Sequence, residues 1–133
     1  EGLKKATQVA ILNANYLGSK IQYEIPFRPF YHEFVASSGD QDAAEVAKRL
    51  LDYGVHPPTT KWPLIVPQAL LVEPTESENK STLDQIAASF NAVLTEDQST
   101  LKSAPNSTAS ARIDQTTAAR FPILSWHALD PSL

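Results

Sequence analysis

Hydrophobic positions recur with helical spacing in three stretches of the chain. Apolar residues three and four positions apart predict helices over residues 2–18, over 41–53 and from about 75 to about 95. The first helix has apolar residues on two faces, which is typical of a helix covered on both sides. Gly18 is the expected end of the first helix, and Asp40 is the expected N-cap of the second. The pattern therefore predicts a helix-rich fold with well-marked helix boundaries.

The third helix follows directly after a strand signal. The apolar run at residues 69–73 predicts a strand that ends at Pro74. The Thr75 side chain can accept a hydrogen bond from the backbone N–H of Glu78, and the Glu78 side chain can reach back to the Thr75 N–H. This arrangement is a capping box. We therefore expect the third helix to begin at Thr75.

Shorter apolar runs predict the remaining strands. Residues 21–25 and 32–36 have strand character, and the proline-rich segment 55–67 is expected to be a loop with one extended piece at Leu64–Val66. Strands separated by helices that cover only one face indicate an α+β sandwich, in which helices pack on a small antiparallel or mixed sheet.

The character of the chain changes near residue 98. Ser, Thr, Ala and Asn dominate from there through residue 117, with few large apolar residues. We therefore predict a small α/β sandwich domain over residues 1–97 and an irregular C-terminal tail over 98–133 that packs on its surface. Residues 121–126 are the expected apolar anchor of this tail.

Composition excludes several classes of function. The chain has 133 residues, of which 42% are hydrophobic and 20% charged, as expected for a globular domain. Its net charge of −4 argues against nucleic acid as the main partner, and no apolar run is long enough to span a membrane. The absence of cysteine excludes disulfides, thiolate zinc sites and cysteine nucleophiles. Because the chain begins at Glu1 and contains no methionine, we expect a fragment of a longer protein.

The residues alone predict no complete active site. Adjacent strand residues such as His32 and Glu33 point to opposite faces, and His56 and His127 have no ligand partner at suitable spacing, so we predict no metal site. His56 lies in a rigid proline-rich loop, where a role in a site and a structural role are equally compatible with the sequence. No glycine-rich phosphate loop is present, and no lysine lies in an apolar context that would activate it for imine formation.

Three neighbouring carboxylates have a mainly structural explanation. Glu78 belongs to the expected capping box, and Glu76 is favoured by the positive end of the helix dipole. Glu73, at the end of the predicted strand, is the one carboxylate of the three that remains unexplained.

Several stretches, in order along the chain, carry a family resemblance. They are Ala10-Ile-Leu-Asn-Ala-Asn-Tyr-Leu17, His32-Glu-Phe-Val35, Val46–Thr59 with its Gly-Val-His-Pro-Pro-Thr run, Trp62-Pro63, Val72-Glu-Pro-Thr-Glu-Ser-Glu78, Ala104–Thr108 and Arg112-Ile-Asp114. Together they resemble the C-terminal part of the pyridoxal-phosphate-dependent glycine decarboxylase, the P protein of the glycine cleavage system. The tail is most similar to subunit 2 of the two-subunit form of this enzyme.

The resemblance implies the small C-terminal domain of a fold-type-I pyridoxal-phosphate enzyme. In that family the Schiff-base lysine belongs to the large domain, so no catalytic residue is expected in this chain. The reaction releases CO2 from glycine and passes the aminomethyl group to a lipoyl carrier protein, with the cofactor as the electron sink. The implied partners are the large domain of the same subunit, a second P-protein subunit, the lipoyl carrier (H) protein and glycine.

The matched motifs also imply which residues line the pocket for substrate or cofactor. His56, Thr59 and Trp62 come from the matched loop, and His32 and Glu73 lie at the ends of matched strands. The implied location is the bacterial cytoplasm, and a mitochondrial location is the alternative. The alternative is a stand-alone interaction or small-ligand-binding module with the same fold and no catalysis.

Overall fold

A computed structural model of the chain describes residues 1–125. Its helices and strands are, in order, α1 (Gly2–Lys20), β1 (Phe34–Ser37), α2 (Ala43–Asp52), β2 (Thr59–Thr60), β3 (Ala69–Val72), α3 (Lys80–Leu94), α4 (Gln98–Ser103) and α5 (Gln115–Arg120). Among the helices of this part of the chain, none combines the length and the hydropathy that crossing a bilayer requires.

The three strands form one antiparallel sheet with β3 at its centre. The strand order is β1-β3-β2, with Phe34 of β1 opposite Val72 and Thr59 of β2 opposite Leu71. The predicted α+β class with a small sheet is therefore confirmed, and the sheet is antiparallel. Because β3 pairs on both sides, it fixes the position of the segments that precede and follow it.

Side chains from the helices and the sheet form one core. Its largest fully buried side chains are Phe90, Leu17, Leu50, Leu70, Leu83, Leu101, Val46 and Val93. Burying an aliphatic or aromatic side chain of this size contributes about 1.5–3 kcal/mol relative to leaving it exposed. The apolar spacing that predicted α2 and α3 thus corresponds to their buried faces. In α1 burial is confined to the C-terminal half, at Asn13, Ala14, Leu17 and Gly18. Leu3 and Leu12 are 88% and 65% exposed, so within the described residues the second apolar face of α1 is not covered.

Two predicted strands differ from the structure. Residues 21–25 form only an isolated bridge between Glu24 and Ser37, so the strand predicted there is wrong. The strand predicted at 32–36 begins later, at Phe34. The extended piece expected at Leu64–Val66 is a turn, in which the Val66 N–H donates to the Pro63 carbonyl at 3.1 Å.

Two helix boundaries also differ from the sequence prediction. Asp42 rather than Asp40 caps α2, because its Oδ1 accepts from the Ala44 N–H at 2.8 Å. Gly18 lies inside α1, where a Cβ atom would stand 2.7 Å from Cζ of Phe30. Glycine at this position therefore permits close packing of the 21–33 segment against the helix, and α1 continues to Lys20.

The segment after α3 contributes to the core before it becomes exposed. Leu101 of α4 is fully buried in the same cluster as Phe90. In contrast, Phe121, Ile123 and Leu124 are 75%, 61% and 87% exposed, so the anchor predicted at 121–126 is wrong for residues 121–125. Residues 126 and 127 lie outside the described residues, and the domain division at residue 97 stays a prediction.

Candidate functional site

A cavity of about 510 Å³ lies where the end of β3, the loop before β2 and the first turns of α3 meet. Its apolar lining includes Leu17 of α1, Leu71 and Val72 of β3, and Ile86 and Phe90 of α3. Its polar lining residues are His56, Thr59, Glu73, Thr75, Glu78 and Thr82. An apolar cavity with a few converging polar groups is the usual form of a small-ligand site.

Three of the five residues predicted to line a pocket meet in this cavity. Pro57 and Pro58 lead from His56 into β2, and Thr59 stands opposite Leu71 in the antiparallel register. Glu73 directly follows the last residue of β3. The central strand and its short neighbour therefore carry His56, Thr59 and Glu73 to one place, although these residues are up to 17 positions apart.

The structure does not bring the other two predicted residues to this cavity. Trp62 lies in the turn between β2 and β3 and is 55% exposed. His32 lines a separate, shallower depression together with Thr7 of α1 and Phe30. The role of each of the five residues stays a prediction, and the geometry separates His56, Thr59 and Glu73 from Trp62 and His32.

Sequence reasoning missed Thr75, Glu78 and Thr82 as lining residues. Thr75 and Glu78 were assigned to a capping box, but that box does not form: Asn79 caps α3, and its Oδ1 accepts from the Thr82 N–H at 3.0 Å. The capping-box prediction is therefore wrong. A usable signal was present, because Asn is as good an N-cap as Thr and stands immediately before the helical apolar stripe.

The backbone at Thr75 adopts an unusual conformation. Its φ is +59°, in the left-handed region that is rare for residues other than glycine and an outlier for a β-branched one. Strained backbone of this kind persists only where surrounding contacts impose it, and it is enriched at functional sites. The buried Asn13 of α1 donates from Nδ2 to the carbonyls of Thr75, at 2.8 Å, and of Glu78, at 2.9 Å.

Charge in the cavity is negative. Glu73 and Glu78 are among the lining residues, and none of the described lining residues is lysine or arginine. Lys80, at the start of α3, forms an ion pair with Asp84 at 2.7 Å. This hydrogen bond to Asp84, aided by Tyr16, raises the pKa of Lys80 above its ordinary value, so the amine stays protonated and is a poor nucleophile.

The sequence pattern of a known family, described as glycine dehydrogenase, C-terminal domain, matches residues 6–114. The chain belongs to this family. The resemblance inferred from the motifs is thereby confirmed. Membership of the glycine dehydrogenase family implies part of a pyridoxal-phosphate enzyme.

Relatives of the glycine dehydrogenase C-terminal domain come from archaea and bacteria. The probable glycine dehydrogenase (decarboxylating) subunit 2 of Halobacterium salinarum is 64% identical over 129 residues, which cover 97% of this chain and 27% of that protein. The proteins of the same name from Thermotoga maritima and Caldanaerobacter subterraneus are 44% and 45% identical, and each match covers 95% of this chain. The chain spans 27–29% of the length of these relatives.

The cavity does not fit pyridoxal phosphate as a complete site. A cofactor phosphate needs cationic or backbone N–H donors, and the imine needs an unprotonated lysine amine. The described lining residues of this glycine dehydrogenase domain offer two carboxylates instead. These lining residues therefore supply neither an imine-forming amine nor a cationic side chain for a phosphate.

Proposed function

We propose that this chain is the C-terminal domain of a glycine dehydrogenase (decarboxylating) and that its cavity forms one wall of the active site. The remainder of the enzyme would complete the site and would hold pyridoxal phosphate, which supplies an electron sink when bound. The proposal is supported by the family match over residues 6–114 and by the convergence of His56, Thr59 and Glu73 on an incomplete cavity.

The lining residues divide into two groups with different tasks. The buried side chains of Leu17 and Phe90 form an apolar floor, which would exclude water from the ligand. His56 and Thr59 are exposed at the rim, where an imidazole and a hydroxyl can orient a ligand by hydrogen bonds. Glu73 supplies an acceptor at the same rim and would orient an ammonium or hydroxyl group.

The names of the relatives support the proposed partners. Each is called subunit 2, which implies at least one other subunit. We propose that the complete enzyme acts on glycine, releases CO2, and transfers the aminomethyl group to a lipoyl carrier (H) protein. A cytoplasmic location in an archaeon or bacterium accords with the organisms of the relatives.

The test compares two histidines in the complete enzyme. We expect His56→Gln to lower kcat/KM for CO2 release from carboxyl-labelled glycine, with lipoyl carrier protein present, by at least about tenfold. His32→Gln is the matched control, because His32 lines a different depression, and it should change kcat/KM less than about twofold.

Two results would contradict the proposal. One is a complete enzyme that releases no CO2 from glycine. The other is an equal effect of His56→Gln and His32→Gln, since His56 lines the cavity and His32 lines a different depression.

A further inference from the structure

We propose that Asn13 is a positioning residue, whose amide holds the loop at residues 74–79 in the shape that places Thr75 and Glu78 in the cavity wall. The proposal rests on the function proposed above and deepens it. Asn13 itself does not line the cavity, and we assign it no contact with a ligand. It would act through the two residues whose carbonyls it binds.

Both hydrogens of the Asn13 amide are used on this loop. Nδ2 donates to the Thr75 carbonyl at 2.8 Å and to the Glu78 carbonyl at 2.9 Å. Because both partners are acceptors, only the amide nitrogen can face them. Asn13 is 7% exposed, so water has little access to replace these bonds.

The remaining hydrogen bonds of the loop are local. The Thr75 and Ser77 hydroxyls are 2.8 Å apart, and the Asn79 cap belongs to α3. The Thr75–Ser77 bond moves with the loop, and the Asn79 cap fixes the end of the loop that joins α3. Among the described side-chain hydrogen bonds of this loop, those from Asn13 connect it to another element, 62 and 65 residues away in sequence.

The strain at Thr75 explains why an external anchor is needed. A threonine in the left-handed region is disfavoured, because its Cβ approaches the following carbonyl too closely. Without Asn13 the two carbonyls would lose their donor in a place with little water. The loop would then relax toward an ordinary backbone conformation, and Thr75 and Glu78 would leave their places in the wall.

The experiment measures amide hydrogen exchange in peptides covering residues 74–79 of the complete enzyme. In Asn13→Asp a carboxylate oxygen replaces the donor opposite two carbonyls, and we expect exchange about tenfold faster than in the unsubstituted enzyme. Asn15→Asp is the matched control: Asn15 is exposed on the same helix, and its Nδ2 donates to the Ile11 carbonyl at 2.9 Å and to the Phe30 and Tyr31 carbonyls at 3.3 Å, none of which belongs to the loop at 74–79. It should change exchange in these peptides less than about twofold.

A second pair of variants tests the mechanism and avoids the new charge. Asn13→Ala should also speed exchange, with Asn15→Ala as its control. Because asparagine tolerates the left-handed region better than threonine does, Thr75→Asn added to Asn13→Ala should reduce the increase at least about threefold. A side chain that merely fills space in α1 would show no such rescue.

The outcomes separate this proposal from the proposed function. The positioning role would be overturned if both Asn13 variants exchanged at the rate of the unsubstituted enzyme. It would also be overturned if Thr75→Asn, added to Asn13→Ala, failed to slow exchange. Hydrogen exchange needs no turnover. An enzyme without glycine decarboxylation would therefore contradict the proposed function and leave the result for the loop intact.

Discussion

Asp52, the last residue of α2, ties the segment after α4 to the body of the fold. Its Oδ1 accepts from the backbone N–H groups of Asn106, at 2.6 Å, and Ser107, at 2.7 Å, and from the Ser107 hydroxyl at 2.9 Å. Its Oδ2 accepts from Nη1 of Arg49 at 3.0 Å. Burial by itself raises the pKa of Asp52, but the hydrogen bonds from Ser107, Asn106 and Arg49 outweigh it and lower the pKa from 3.8 to about 2.

The size of this shift sets the expected loss in Asp52→Asn. Each pKa unit corresponds to about 1.4 kcal/mol, so the charged form of Asp52 contributes about 2 kcal/mol to folding. Its side chain is only 5% exposed by area, but the hydrogen bonds from Asn106 and Ser107 lie at the protein surface, so solvent screening makes about 2 kcal/mol an upper limit. Because the folded pKa is lowered, this contribution is fully present above the unfolded pKa of 3.8 and is lost as the pH falls through about 2.

Urea denaturation followed by circular dichroism measures the difference in unfolding free energy between variant and unsubstituted chain. We expect Asp52→Asn to lose about 1–2 kcal/mol at about pH 6 and less than about half of that at about pH 2.5. Comparing the two proteins at each pH cancels the titration of the other carboxylates. Asp40→Asn is the control, since Asp40 is exposed, and it should lose less than about 0.5 kcal/mol at either pH. A loss from Asp52→Asn that is equal at the two pH values would refute the electrostatic reasoning.

Three further predictions concern the free energy of unfolding, measured in the same way. Leu50→Ala should cost about 2–5 kcal/mol because Leu50 is fully buried. Leu12→Ala, at a position that is 65% exposed, should cost less than about 0.5 kcal/mol, and equal losses in the two variants would contradict the described core. Asn79→Ala should cost about 1 kcal/mol through loss of the α3 cap, and Asn79→Ser should retain most of it; an unchanged Asn79→Ala would point to another cap. Arg49→Lys should cost about 1–2 kcal/mol, since lysine cannot reproduce the bidentate hydrogen bonds to Glu96 at 2.7 and 2.9 Å. An unchanged free energy of unfolding would show that a lysine–Glu96 pair stabilises the fold equally well.

The elements that the sequence predicted correctly are those decided by local patterns. In α2 the apolar residues, such as Val46 and Leu50, recur at helical spacing. A helix places them on one face, and the structure buries that face. The run Ala69–Val72 likewise forms the central strand, since it is buried and bounded by turns. His56, Thr59 and Glu73 could be assigned to one site because family motifs carry all three, and the sheet then brings them together.

The elements that the sequence missed depend on contacts between distant residues. Thr75 and Asn79 are both acceptable N-caps, four positions apart. In the structure Asn79 caps α3, and the Asn13 amide donates hydrogen bonds to the carbonyls of Thr75 and Glu78 in the preceding loop. Strand β2 has only two residues, Thr59 and Thr60, and it exists because β3 offers a free edge beside them. The two residues of β2 carry no pattern that indicates this pairing, and the segment before α3 offers two candidate caps without deciding between them.

The cavity shares its floor with the hydrophobic core, and this limits how its residues can be tested. Phe90 is 1% exposed, lies in the core cluster and also lines the cavity, so its truncation would cost about 3–5 kcal/mol and would distort the site at the same time. A loss of activity in Phe90→Ala would therefore say little about ligand contact. The rim residues differ, because His56 and Thr59 are exposed and outside the core cluster. Substitutions there leave folding nearly unchanged, so an effect on turnover at His56 or Thr59 can be assigned to the site itself.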